Sequence, residues 1–152
     1  MLIDVIFRGL LPALDLSFLK KLLTDAREVH FNFPENRLIK TFEEIIGVIR
    51  SNSYVDLAIS TDCLDMEGKI VPKVFINLGR DNNDIEILFF FDLRDLNEAT
   101  PGKNIDYLRK WMSEMKRKYH FQYFICQDDN AGEDAYYFDS NGIGRLYNKI
   151  SD

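Results

Sequence analysis

Apolar and polar positions along this chain follow two rhythms, a period of two and a helical period near 3.6, and the switches between them mark out its elements. In residues 2–7, Ile3, Val5 and Phe7 fall on one side and Asp4 on the other, which predicts a first strand closed by Gly9 and Pro12. A helix is expected next. Asp15 stands where an N-cap is needed, and Leu16, Leu19, Leu23 and Ala26 recur at helical steps, with Lys20 and Lys21 outside the stripe. Alternation returns at Val29, Phe31 and Phe33, predicted to point inward, while Glu28, His30 and Asn32 point outward and Pro34 ends the strand.

Thr41-Phe42-Glu43-Glu44 has the spacing of a capping box. A second helix is expected from there, with Phe42, Ile45, Ile46 and Ile49 as its core face and Ser51-Asn52-Ser53 as its end. Three strands follow at residues 54–61, 70–78 and 84–91, placing Val55, Leu57 and Ile59, then Val74, Ile76 and Leu78, then Ile85, Ile87, Phe89 and Phe91 inward. Connections this short hold no crossover helix, so the three strands are predicted to form an antiparallel meander. Leu88 and Phe90 make the last of them apolar on its other face as well, which predicts a central place in the sheet. A long helix is expected over about residues 104–119, with Ile105, Leu108, Met112, Met115 and Tyr119 in its stripe and Trp111 bordering it. Strands at 121–127 and 135–139 close the chain, joined by the acidic segment Asp128 to Asp134. The order β-α-β-α-β-β-β-α-β-β predicts one α+β domain, with a mainly antiparallel sheet of about five to seven strands and three helices.

Composition narrows what such a domain does. The chain has 152 residues, 46% of them hydrophobic, which suffices for a core without disulfides or a structural metal. Its net charge of −6 argues against general nucleic-acid or anionic-membrane binding. No apolar run reaches the length of a membrane span, and Asp4 and Arg8 interrupt the first apolar stretch, so neither a transmembrane segment nor a signal peptide is expected. Cys63 and Cys126 form no CxxC pair, which predicts reduced thiols and a cytoplasmic protein.

The strongest local bias lies near the C-terminus, where Asp128, Asp129, Glu133, Asp134 and Asp139 occur with no Lys or Arg between residues 125 and 140. Flanked by Tyr136 and Tyr137, this loop is a candidate for holding a basic partner, the carboxylates steering and the tyrosines supplying contact area. A solvated hairpin turn is the simpler account of the same residues. A calcium loop starting at Asp128 needs glycine at its sixth position and glutamate at its twelfth, where the chain has Glu133 and Asp139, so no metal is expected there. The cations Arg109, Lys110, Lys116, Arg117 and Lys118 are better read as helix-terminal and solvated charges than as a phosphate-binding face. No cofactor motif is present.

One loose catalytic pattern remains. Asp56 or Asp62, followed by Glu67-Gly68-Lys69, resembles the D…ExK spacing of the PD-(D/E)xK nucleases, in which carboxylates hold a metal and lysine supports the nucleophile. Gly68 instead predicts a hairpin turn over Asp65 to Lys69. A metal-dependent hydrolase or nuclease using Asp56, Asp62, Glu67 and Lys69 is therefore the alternative to a non-enzymatic binding module.

The acid-and-tyrosine loop Gln127 to Tyr137, the tail Phe138-Asp139-Ser140-Asn141-Gly142-Ile143-Gly144-Arg145-Leu146-Tyr147 and the acidic α+β organisation together resemble the immunity proteins of bacterial polymorphic toxin systems. The resemblance implies a protein that binds and neutralises a toxin domain, with a basic protein as its partner, no catalytic residue and no cofactor. It implies contact through Asp128, Asp129, Glu133, Asp134 and Tyr136.

Overall fold

The computed structural model describes residues 1–35, 41–129 and 135–150. Ten strands are described: β1 (Leu2–Leu10), β2 (Glu28–Phe33), β3 (Tyr54–Thr61), β4 (Leu64–Met66), β5 (Lys69–Val71), β6 (Val74–Asp81), β7 (Asp84–Asp92), β8 (Tyr123–Asp128), β9 (Tyr136–Asp139) and β10 (Gly142–Ile143). Eight of them form one sheet in the order β10-β9-β8-β1-β7-β6-β3-β2, every neighbouring pair antiparallel, and β4 and β5 form a separate hairpin. The helices are α1 (Leu19–Asp25), α2 (Phe42–Ser51) and α3 (Pro101–Tyr119), with short 3₁₀ turns at Leu16–Phe18, Leu93–Leu96 and Tyr147–Lys149. The α+β class holds, with more strands than the sequence predicts. No described helix is long and apolar enough to cross a membrane.

The meander β3-β6-β7 has the expected antiparallel register, and β7 lies between β6 and β1, well inside the sheet. Four expectations need correction. Strand β1 does not close at Gly9 but runs on to Leu10, because Gly9 still pairs with Ile85. The expected strand 70–78 is two strands, since Lys73 after Pro72 takes φ 54° and breaks the extended backbone. Phe33 does not face inward: the β2–β3 register shifts between Phe31 and Phe33, and Phe33 is 54% exposed. The first helix opens as a 3₁₀ turn, with the Asp15 carboxylate accepting from the Ser17 amide at 2.9 Å, and the α-helical part starts only at Leu19.

The N-cap half of the capping box forms, with the Thr41 hydroxyl oxygen accepting from the Glu44 amide at 3.2 Å, and the Glu44 carboxylate reaches back to accept from the Thr41 hydroxyl at 2.9 Å. Helix α3 starts three residues before the expected Asn104, because Thr100 accepts from the Lys103 amide and Pro101 supplies a first-turn φ. It ends at His120, which takes φ 67° and donates its amide to the Lys116 carbonyl.

One face of the sheet makes the core. Ile3, Val5, Phe7, Leu57, Leu78, Ile87 and Cys126 are fully buried there, beneath Leu19, Ile49, Leu108 and Met112 of the helices. Trp111 is not at the border of the α3 stripe but inside the core, packed edge-on against Phe7 at 5.8 Å and Phe89 at 5.8 Å. Phe7 also meets Phe121 and Phe124, and each such aromatic pair adds about 0.5–1.5 kcal/mol beyond its area burial. Arg80, on the same face, donates to the carbonyls of Ile49 and Arg50 and ties the end of α2 to β6.

Candidate functional site

The acidic segment joins β8 to β9 at the end of the sheet where β1 begins. Strand pairing places it there: Asp128 lies opposite Ile3, and the Asp129 amide donates to the Leu2 carbonyl at 3.1 Å. The structure gives the predicted site residues separate tasks. Asp128 accepts a hydrogen bond from the Tyr137 hydroxyl at 2.6 Å, and Tyr137 is buried, so this carboxylate anchors the β8–β9 corner. Burial, with Asp128 adding to it, raises the Tyr137 phenol far above its ordinary value, which keeps it a donor at any physiological pH. Asp129 lies close enough to Asp4 for its charge to raise the Asp4 carboxyl, which burial has already raised further. Tyr136 is half-buried and lies opposite Gln127. Glu133 and Asp134 lie outside the described residues. Asp139, at the far end of β9, accepts from the Asn141 and Gly142 amides and shapes the last turn.

The residues of the catalytic alternative do not converge. Asp56 points from the middle of β3 to the face away from the core, where the Asn77 side-chain amide donates to it. Asp62 lies beyond the end of β3 and pairs with Arg27 at 3.7 Å. Glu67 and Gly68 are the two positive-φ residues of the β4–β5 hairpin turn, with φ 53° and 100°, as the turn reading requires. Lys69 is taken by Glu98 at 3.4 Å and lies over the Tyr107 ring. Among the described residues, no three His, Cys, Asp or Glu side chains gather as a metal site. Cys126 is fully buried, and its thiol is pushed up chiefly by that burial, so it packs rather than reacts. Cys63 is exposed, and both thiols are free.

What sequence patterning missed is the second face of the sheet. The helices pack on the first face; the second carries Phe75 opposite Phe90, Ile6 between Leu88 and Ile125, and Arg8 between Glu86 and Tyr123. Phe75 is 55% exposed and Leu2 47% exposed. The available signal was the run Ile87 to Phe91, apolar at odd and even positions alike: it predicts the central place that β7 takes, while the described chain covers only one of the strand's two apolar faces.

Three shallow depressions lie along this second face. One is lined by Phe75, Phe90, Leu2 and Lys73, one by Arg8, Glu86, Tyr123 and Gly79, and one by Phe75, Ser60, His30 and Glu28. A further groove lies elsewhere, between α1, the β4–β5 hairpin and α3, where about 120 Å³ is lined by Leu22, Cys63, Trp111 and Met115 among others. Its walls offer apolar surface and the Lys21–Asp65 ion pair, but no arrangement of nucleophile and base.

Comparison with known proteins settles the family. None of the curated proteins compared matches this chain. A chain of the 1.75 Å crystal structure of the toxic C-terminal tip of CdiA from Pseudomonas aeruginosa in complex with immune protein superimposes with a TM-score of 0.70 at 20% identity, covering 95% of this chain and 97% of that one, and so shares its fold. The family model described as PABL017 Cdi1I immunity protein matches residues 3–142, and the chain belongs to that immunity-protein family.

Proposed function

We propose that this immunity protein neutralises a CdiA toxin tip in the cytoplasm by binding it as a single, non-enzymatic α+β domain, and that the toxin surface it covers is basic. The observation that carries the reading is the family match across residues 3–142, together with a net charge of −6. The CdiA tip of the structurally similar complex is held by an immune protein, which supports a protein as the partner here. Asp129 and Tyr136 lie at the two described ends of the acidic segment, with Glu133 and Asp134 between them in sequence, and these are the contact positions of the proposal. Asp128 takes part indirectly, by holding Tyr137 and with it the corner from which the segment leaves the sheet.

Co-expression tests the reading. The CdiA toxin tip of the same strain, induced alone in a bacterial host, is expected to arrest growth, and this chain supplied beside it is expected to restore growth and to co-purify with the tip. Exposed charges are screened over about 8–10 Å near physiological ionic strength, so the association rate should fall as salt rises while dissociation changes less. Growth arrest that persists with the chain present, and no complex between the two purified proteins, would overturn the proposal.

A further inference from the structure

The open second face of the sheet is the part of the molecule that folding alone does not explain. An antiparallel sheet with one solvated face ordinarily alternates apolar inward with polar outward. Here the strand register lays out two adjoining cross-strand rows on the uncovered side. One runs Gln127, Asp4, Phe90, Phe75, Ser60, Glu28, and the next runs Ile125, Ile6, Leu88, Asn77, Ala58, His30. Their centre is apolar and aromatic. Ile6 is only 8% exposed although no described helix lies over it, because Leu88 and Ile125 crowd it from both sides.

Charge is segregated to match. Asp4, Glu28, Asp56 and Glu86 lie on this face, and its central strands carry one cation, Arg8, which is bound to Glu86 at 2.9 Å and lies over Tyr123. The cations Lys103, Lys110, Lys116, Arg117 and Lys118 sit on α3, on the opposite side of the sheet. The face approaches the size that such a contact needs. From β9 to β2, strand spacing of about 4.8 Å and roughly six residues at about 3.3 Å give a plan area on the order of 600 Å², before side-chain relief is counted. A stable protein complex takes about 800 Å² from each partner.

We propose that this open sheet face is the docking surface for the toxin domain, with Phe75 and Phe90 as its apolar centre and Asp4, Asp56 and Glu86 as its acidic surround. The inference rests on the reading of the chain as a toxin-binding immunity protein and deepens it. The occupant is a protein that sets an apolar side chain on the Phe75–Phe90 pair and lysines or arginines on the carboxylates around it. Tyr136 extends the first row beyond Gln127 and stands at the rim of the interface rather than at its centre.

The test uses the whole chain and the purified CdiA toxin tip of the same strain. The double variant Phe75→Ser and Phe90→Ser is expected to weaken binding by about 30-fold or more, as loss of central aromatic contacts does. Lys110→Ser with Lys118→Ser, on α3, should leave the affinity within about two-fold. Circular dichroism and urea unfolding verify that each variant is folded. Glu86→Lys, at a side chain 52% exposed, repeats the test without touching the aromatic pair and should weaken binding by about ten-fold or more. A folded double variant and a Glu86→Lys protein that both bind with wild-type affinity would overturn the inference while leaving the immunity reading intact. A wild-type chain that fails to bind the tip overturns both. A wild-type chain that dimerises through this face, losing the dimer and not the toxin when Phe75 and Phe90 are replaced, overturns the inference alone.

Discussion

The hydrogen bond between Tyr137 and Asp128 decides whether the acidic corner is built for folding or for binding, and a double-mutant cycle measures it. The Tyr137 hydroxyl donates to the Asp128 carboxylate at 2.6 Å, and the tyrosine is 4% exposed. A hydrogen bond to a charged group contributes about 1.5–3 kcal/mol when both ends are dry. Asp128 is half-buried, so water recovers part of that when the donor is removed, and Tyr137→Phe should cost about 1–2 kcal/mol. Asp128→Asn replaces a charge-assisted bond with a neutral one and should cost about 1 kcal/mol. Because one substitution removes this interaction and the other weakens it, the double variant should cost less than the two singles together, with a coupling of up to about 1 kcal/mol. Asp129→Asn serves as the contrast. Its charge raises the Asp4 carboxyl, so neutralising it relieves repulsion and should leave stability unchanged or slightly higher. Urea unfolding at neutral pH measures the wild type and all four variants. A coupling under about 0.3 kcal/mol, or an Asp129→Asn variant less stable than Asp128→Asn, would refute the division of labour between the two neighbouring acids.

Three further substitutions probe other parts of the structure. Met112→Asp places an unpaired charge where the side chain is 0% exposed, at a cost of several kcal/mol, and should abolish the cooperative thermal transition; a normal transition would remove α3 from the core. Gly144→Ala sets a Cβ against the Tyr136 carbonyl and 2.6 Å from the Tyr136 ring, so a loss of about 1–3 kcal/mol is expected in calorimetry, and an unchanged melting temperature would contradict the packing of the tail on β9. Asp4→Asn should raise stability at neutral pH. Burial and the neighbouring Asp129 lift the Asp4 carboxyl above its ordinary 3.8, so the folded state holds that proton more tightly than the unfolded chain does, and wild-type stability is lost as pH rises through the folded value; the gain from asparagine should therefore shrink as unfolding is measured at progressively lower pH.

Most of the first face of the sheet was legible in the sequence, because local rhythm and tertiary burial agree there. Val55, Leu57 and Ile59 are spaced two apart, and the same three residues are buried. The Thr41 N-cap and the Ile45, Ile49 stripe likewise form as read. What failed did so where a single backbone torsion or a register shift outweighs side-chain pattern, as at Lys73 and between Phe31 and Phe33. The acidic segment was visible as a composition, but the private bond from Tyr137 to Asp128 was not, since pairing across the β8–β9 corner depends on an irregular register that no spacing encodes. Leu88 and Phe90 correctly placed their strand inside the sheet, between β6 and β1. Apolar residues on both faces of a strand say that both faces are to be covered, without saying whether the cover comes from the same chain.

That distinction bears on how an unpartnered chain remains usable until its partner arrives. Apolar side chains such as Phe75 at 55% exposure invite association with the wrong surfaces, and large uncovered patches are a hazard in a monomer. Carboxylates interleaved with them answer the hazard: Asp4 lies directly opposite Phe90, and Asp56 and Glu86 flank the adjoining row, so a second copy of the same face meets like charge at each apolar contact. The cost falls on the free fold, where Asp4 is held in a position that disfavours its ionised form. A partner that brings cations to this face would offset both the repulsion and the burial, so under the docking proposed above the groups that least favour the isolated molecule are those that gain most on binding.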